Sequence, residues 1–223
     1  MASGFITLKA SDGHSFSAYR AEPTGAPKGA VVVVQEIFGV NSHIRAVADG
    51  YAAAGYLAIA PAVFDRVEKN VDLGYTPDDI QKGVGIRQQL TNDGTLADIA
   101  ASVAAAQEGG KVGIVGYCFG GLMSWLSSAH VPGLTAAVSY YGGGVGQNLD
   151  IKPKVPVMLH FGEKDSHIPL ADVEALRQRH HEATIFIYNA DHGFNCDQRG
   201  SYDKPSAEQA LGRSLGFFAK YLG

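Results

Sequence analysis

The chain has 223 residues, of which 46% are apolar and 18% charged, with a formal net charge of -4. That is enough chain for one large, well-buried core, and too apolar a composition for a disordered protein. The mild acidity and the absence of long like-charge runs argue against nucleic acid or an anionic membrane surface as a partner, and no apolar run approaches a membrane span.

The start, Met1-Ala2-Ser3-Gly4-Phe5, lacks a basic segment followed by an apolar core, so no secretory leader is expected. Residues 3–22 alternate polar and apolar around Asp12-Gly13, which predicts a two-stranded hairpin. Residues 21–29, rich in Pro and Gly, read as a loop. Ala30-Val31-Val32-Val33-Val34 is the continuous apolar run of a strand buried on both faces of a parallel sheet. In residues 42–54, Ile44, Val47, Ala48 and Tyr51 share one helical face; Gly55 stops that helix, and Tyr56 to Ala60 is the next strand, ended by Pro61. Residues 62–75 read as irregular.

Thr76-Pro77 starts a helix, with Thr as N-cap and Pro at the first position; it breaks near Asn92-Asp93-Gly94, and a second helix runs from about Leu96 to Gln107. Lys111 to Val115 is a strand, followed after a sharp turn by a helix containing Leu122, Met123, Trp125 and Leu126. Leu134 to Tyr141 and Val155 to Phe161 are strands, 169–181 a helix and Thr184 to Tyr188 a strand. The last helix carries Leu211, Leu215, Phe218 and Leu222 on one stripe. Strands alternating with helices predict an α/β fold, a mainly parallel sheet covered on both faces. With no repeat and no long linker, residues 1–223 read as a single domain.

The turn after Lys111–Val115 is Gly116-Tyr117-Cys118-Phe119-Gly120-Gly121. This G-x-C-x-G is the nucleophile-elbow pattern with sulfur in place of oxygen: small neighbours let strand and helix pass closely, and the central side chain projects at the carboxyl end of the sheet. The same hexapeptide would also suit a buried structural cysteine. Two further residues favour catalysis. Asp165, in Phe161-Gly162-Glu163-Lys164-Asp165, and His192, in Asp191-His192-Gly193-Phe194, each follow a strand, where functional groups of open α/β sheets collect. The order nucleophile, acid, histidine is that of α/β hydrolases. His192 would move protons and Asp165 would orient it. His167 is a weaker rival to His192, and His160, inside a strand, reads as a core histidine. Glu36 ends the valine strand, so its carboxyl is expected to be partly buried beside the elbow, with a salt bridge or a helix cap as the alternative roles.

These residues, with Gln35-Glu36-Ile37-Phe38-Gly39-Val40-Asn41 as the most specific stretch, make nearly the whole chain resemble the dienelactone hydrolase family of α/β hydrolases. The resemblance implies an α/β-hydrolase fold without a large cap domain. It also implies a Cys118–His192–Asp165 triad, a Glu36 that contacts the thiol and helps deprotonate it, and an oxyanion hole of the Ile37 and Phe119 backbone N–H groups. A small carboxylic ester or lactone is the implied substrate, with no metal or organic cofactor.

One departure concerns the family's carboxylate clamp of two arginines. One of them lies four residues after the histidine, a position held here by Cys196; the other falls in Asp79 to Val84, which offers Lys82. Lys82, Arg66 and Arg199 are the candidate replacements. Two cysteines do not make a disulfide scaffold and suit a reducing, cytoplasmic setting. The second reading is a redox-responsive or ligand-binding protein on a hydrolase scaffold, with Cys118 and Cys196 as a thiol pair. A monomer or small homo-oligomer is expected.

Overall fold

The computed structural model describes residues 2–223. In chain order the elements are β1 (Ser3–Lys9), β2 (Ser15–Ala21), β3 (Ala30–Val34), α1 (Ser42–Ala53), β4 (Leu57–Pro61), α2 (Pro77–Arg87) and α3 (Asn92–Ala106). There follow β5 (Val112–Tyr117), α4 (Phe119–His130), β6 (Leu134–Tyr140), β7 (Val157–Gly162), α5 (Leu170–Arg179), β8 (Thr184–Tyr188) and α6 (Lys204–Leu222). One eight-stranded sheet takes the order β1-β2-β4-β3-β5-β6-β7-β8. The β1–β2 hairpin pairs antiparallel with itself and with β4, while every other pairing is parallel. This is the arrangement of an α/β hydrolase without a separate cap.

The apolar runs explain the centre. Val31 to Val34 and Ile114 to Val115 are fully buried, because helices cover both faces of the parallel strands. Along β5 the faces alternate: a side chain at Gly113 would strike Phe218 of α6, and one at Gly116 would strike the backbone of α4. Tyr51 of α1 meets Phe218 edge to face, placing α1 and α6 on the same side. The carboxyl ends of β3, β5, β7 and β8 therefore open onto one rim.

Three expectations change. Asn92-Asp93-Gly94 is the first turn of α3 rather than a break, because the Thr91 hydroxyl accepts from Gly94 N (3.1 Å) and caps the helix there. Residues 62–75 are not wholly irregular: Val63–Arg66 form a 3₁₀ turn, in which the buried Asp65 carboxylate accepts from Ser17 N (2.8 Å). The buried face of α6 is rotated from the leucine stripe. Ala207, Ala210, Ser214, Phe217 and Phe218 face inward, while Leu211 is 43% exposed. A polar network sets that rotation: the Ser214 hydroxyl bonds Tyr140 Oη (2.8 Å) and His160 Nε2 (3.0 Å), and His160 Nδ1 bonds Tyr188 Oη (2.8 Å). His160 is thus a satisfied core histidine, its pKa pushed down to about 3 by burial and then by Arg213.

Candidate active site

Cys118 directly follows β5 and is itself the N-cap residue of α4, at φ 54° and ψ -115°. A non-glycine residue held at positive φ costs about 1–3 kcal/mol and persists only where its surroundings enforce it. The enforcement is visible. A Cβ at Gly116 would collide with the Gly120 carbonyl, and one at Gly120 with the Val34 carbonyl, so the strand-to-helix crossing is closer than any side chain allows. Cys118 N donates to Tyr140 O (3.0 Å), fixing the turn to β6. No side chain caps α4. The N–H groups of its first turn, beginning with Phe119, therefore have no intrahelical acceptor and point their dipole toward the elbow.

Asp165 follows β7 and His192 follows β8. His192 Nδ1 lies 2.7 Å from Asp165 Oδ2, and the Asp165 side chain is fully buried. The second carboxylate oxygen accepts from His167 N (2.8 Å), so the acid cannot turn away. Burial works against a charged imidazole here. The Asp165 carboxylate bonded to the ring and the neighbouring Cys118 sulfur outweigh it and raise the His192 pKa to about 10. Sulfur, ring and carboxylate are thus assembled from three separate strand ends. His167, the rival histidine, packs edge-on against the His192 ring at 5.1 Å and reaches Asp165 only through its backbone.

Glu36 is 1% exposed. Arg199 Nη1 donates to its Oε1 (3.1 Å), and Tyr75 Oη donates to its Oε2 (3.5 Å). The carboxylate is held by a guanidinium and a phenol, so at rest its hydrogen bonds go to these groups and not to the thiol. It does not cap α1 either; Asn41 does, its Oδ1 accepting from Ile44 N (3.1 Å). Of the three candidate carboxylate anchors, Arg199 alone reaches this cluster. Arg66 spends its fork on the fully buried Asp98 (2.7 and 2.8 Å) and on Asp12 (2.7 Å), and Lys82 pairs with Glu68 (2.7 Å) on the surface.

Two residues escaped the sequence reading. Tyr75 precedes the cap of α2 and reaches Glu36 and Asn41. Tyr141, at φ 36°, lies 5.1 Å ring to ring from His192, with its hydroxyl buried and unpartnered. Its place directly before three glycines was the available signal.

A second group of the same residue types lies close by. Cys196, His43 and Glu36 are all buried, with their ligating atoms within 4.8 Å of one another. His43 Nδ1 is 3.3 Å from Asp197 Oδ1. Both cysteines are free thiols.

Comparison with known proteins shows what the whole chain is similar to. The profile of the dienelactone hydrolase family matches residues 16–222. A candidate carboxymethylenebutenolidase of Synechocystis sp. is 39% identical over 86% of this chain and 86% of its own length, and one of Escherichia coli is 36% identical over 99% and 88%. The crystal structure of a candidate dienelactone hydrolase from Klebsiella pneumoniae superposes with a TM-score of 0.87 at 35% identity, covering 99% of this chain and 100% of that one. The chain belongs to the dienelactone hydrolase family.

Proposed function

We propose that this chain, an ester or lactone hydrolase by its family, works through an acyl-enzyme on Cys118, with His192 as proton carrier and Asp165 as its anchor. The observation that carries this is the 2.7 Å contact between His192 Nδ1 and a fully buried Asp165, at the rim where the strained Cys118 turn also ends. Nδ1 is committed to Asp165, so Nε2 is the nitrogen that exchanges protons. Cys118 reacts as a thiolate whose proton is held on His192 Nε2: in the first half-reaction Sγ bonds to the carbonyl carbon and the carbonyl electron pair moves onto oxygen. That oxyanion sits where the Ile37 and Phe119 N–H groups donate. Collapse breaks the C–O bond, and the leaving oxygen takes the proton from His192. Water then attacks the thioester, giving a proton to His192, and expulsion of Cys118 sulfur completes the hydrolysis.

Arg199 is the anchor for a substrate carboxylate. A carboxylate arriving there competes with Glu36 for the guanidinium, and the released Glu36 becomes available as a base near the thiol. Substrates are accordingly small esters or lactones, with carboxylated ones preferred. No helix among the described residues is long and apolar enough to cross a membrane. Two free thiols suit the reducing cytoplasm.

The second Cys–His–Asp group supports a competing reading in which Cys196 is the nucleophile. Its thiol is fully buried, and burial followed by the Glu36 charge pushes its pKa up to about 11, both of which disfavour a thiolate open to substrate. The test is a rapid acid quench with an activated ester and mass mapping of the trapped thioester. Acyl mass on the Cys118 peptide is expected; acyl mass on the Cys196 peptide overturns the assignment.

A further inference from the structure

Nothing in the proposed cycle uses His43 or Cys196, and packing leaves one nitrogen of His43 unaccounted for. His43 is 4% exposed, yet its Nε2 has no hydrogen-bond partner. A buried polar atom left unpaired costs about 1–3 kcal/mol, so the orphaned nitrogen asks for a ligand. A ring nitrogen of His43, a carboxylate oxygen of Glu36 and the Cys196 sulfur lie within 4.8 Å of one another. Nitrogen, oxygen and sulfur donors in one buried cluster are the donor set of a borderline-soft divalent ion, unlike the all-oxygen sites of magnesium and calcium.

The surroundings resemble a metal site as well. Asp197 accepts from Nδ1 of His43 at 3.3 Å, which leaves Nε2 as the nitrogen free to ligate. Arg199 and Tyr75 both bond the Glu36 carboxylate and fix its direction. A groove of about 280 Å³ between α1 and α6, lined by His43, Asn195, Asp197, Tyr202 and Leu211 among others, leads from solvent to His43.

We propose that His43, Cys196 and Glu36 form a binding site for a zinc-type divalent cation, separate from the Cys118 thiol. Bonds of roughly 2.0–2.3 Å would bring the donors to about 3.5 Å from one another. The side chains therefore close by about 1 Å on the ion, from separations of up to 4.8 Å. Binding releases the Cys196 proton to solvent and leaves a metal-bound thiolate. It also engages Glu36, so the ion slows ester hydrolysis. That consequence rests on the role proposed for Glu36, whereas the binding does not.

The test uses the full-length chain, stripped of metal and titrated with Co²⁺, whose thiolate-to-cobalt charge-transfer absorption reports sulfur ligation directly. Cys118→Ala, Cys196→Ser and His43→Gln are titrated beside the wild type, with circular dichroism and thermal melts checking that each is folded. One equivalent of absorption is expected in the wild type and in C118A, with loss of the band in C196S and affinity at least about tenfold weaker in H43Q. Zn²⁺ should displace the cobalt and lower wild-type ester turnover, and the ratio of turnover with and without zinc should approach one in H43Q. Absence of the band in the wild type, or a band lost in C118A and kept in C196S, overturns the site. Binding in the expected pattern with turnover unchanged by zinc upholds the site and removes Glu36 from the catalytic scheme.

Discussion

The described residues hold two Cys–His–Asp groupings, and their contrast is why the Cys118 set is the one proposed as catalytic. Around Cys118 the sulfur sits on a strained turn, partly exposed, at the uncapped start of α4, and the aspartate is buried with both oxygens engaged. Around Cys196 the order is reversed. The sulfur is fully buried, and the Asp197 side chain is 67% exposed and 3.3 Å from the imidazole. A carboxylate in water is screened and mobile, so it neither orients a ring nor stabilises its charge strongly. Residue types alone therefore do not separate the two groups; burial of the acid and exposure of the sulfur do.

Removing each sulfur breaks the comparison most directly. Cys118→Ala should lower ester kcat/KM by about 10⁴-fold or more, as loss of a nucleophile does. Cys196→Ala should stay within about tenfold of wild type, and steady-state kinetics on one activated ester decides between them. The acids come next. Asp165→Asn should cost about 10³- to 10⁴-fold in kcat, because the ring loses its tautomer control. Asp197→Asn should change kcat by less than about fivefold, since an exposed pair contributes roughly 0–1 kcal/mol.

Arg199→Met tests the charge that both groups share. It leaves Glu36 buried without its cation and should cost about 3 kcal/mol in denaturant unfolding. Adding Glu36→Gln should recover most of that loss. On the substrate panel, R199M should raise KM for carboxylated esters and leave KM for neutral ones nearly unchanged.

The last effect is the pH dependence of stability. The His192 pKa rises from 6.5 to about 10, so the folded chain holds a proton there that the unfolded chain releases. The contribution is whole below about pH 6.5 and is lost as pH rises toward 10. The wild-type melting temperature should fall by on the order of ten degrees across that window, and the fall should flatten in His192→Gln. An equally steep fall in the variant would remove His192 from the account.

Much of this could be read from the chain alone, and the reason is local. Ala30 to Val34 declares a doubly covered strand through composition, and Thr76-Pro77 declares a helix start through cap chemistry; the capping box of Thr76 and Asp79 forms as such residues should. Cys118, Asp165 and His192 were legible because each directly follows a strand. What could not be read depends on contacts between distant segments. The phase of α6 is chosen by a serine that meets Tyr140 and His160, and no helical periodicity in α6 reports on those partners. Arg199 reaches Glu36 from the far end of the chain, and His43 meets Cys196 across most of its length. Tyr75 lay in a stretch read as irregular, where no pattern marks a side chain as aimed inward.

The absence of a side chain at Gly83 carries a last consequence. Any Cβ there would strike the Ile37 carbonyl, so α2 rests directly against the peptide that follows the proposed oxyanion donor. The loop after β3 is thus braced from behind by a helix that offers no group to the reaction. Libraries randomised at position 83 would therefore sort variants by turnover although the position never meets a ligand, and the sorting would measure how far one peptide plane can tilt before the fit to a tetrahedral centre is lost.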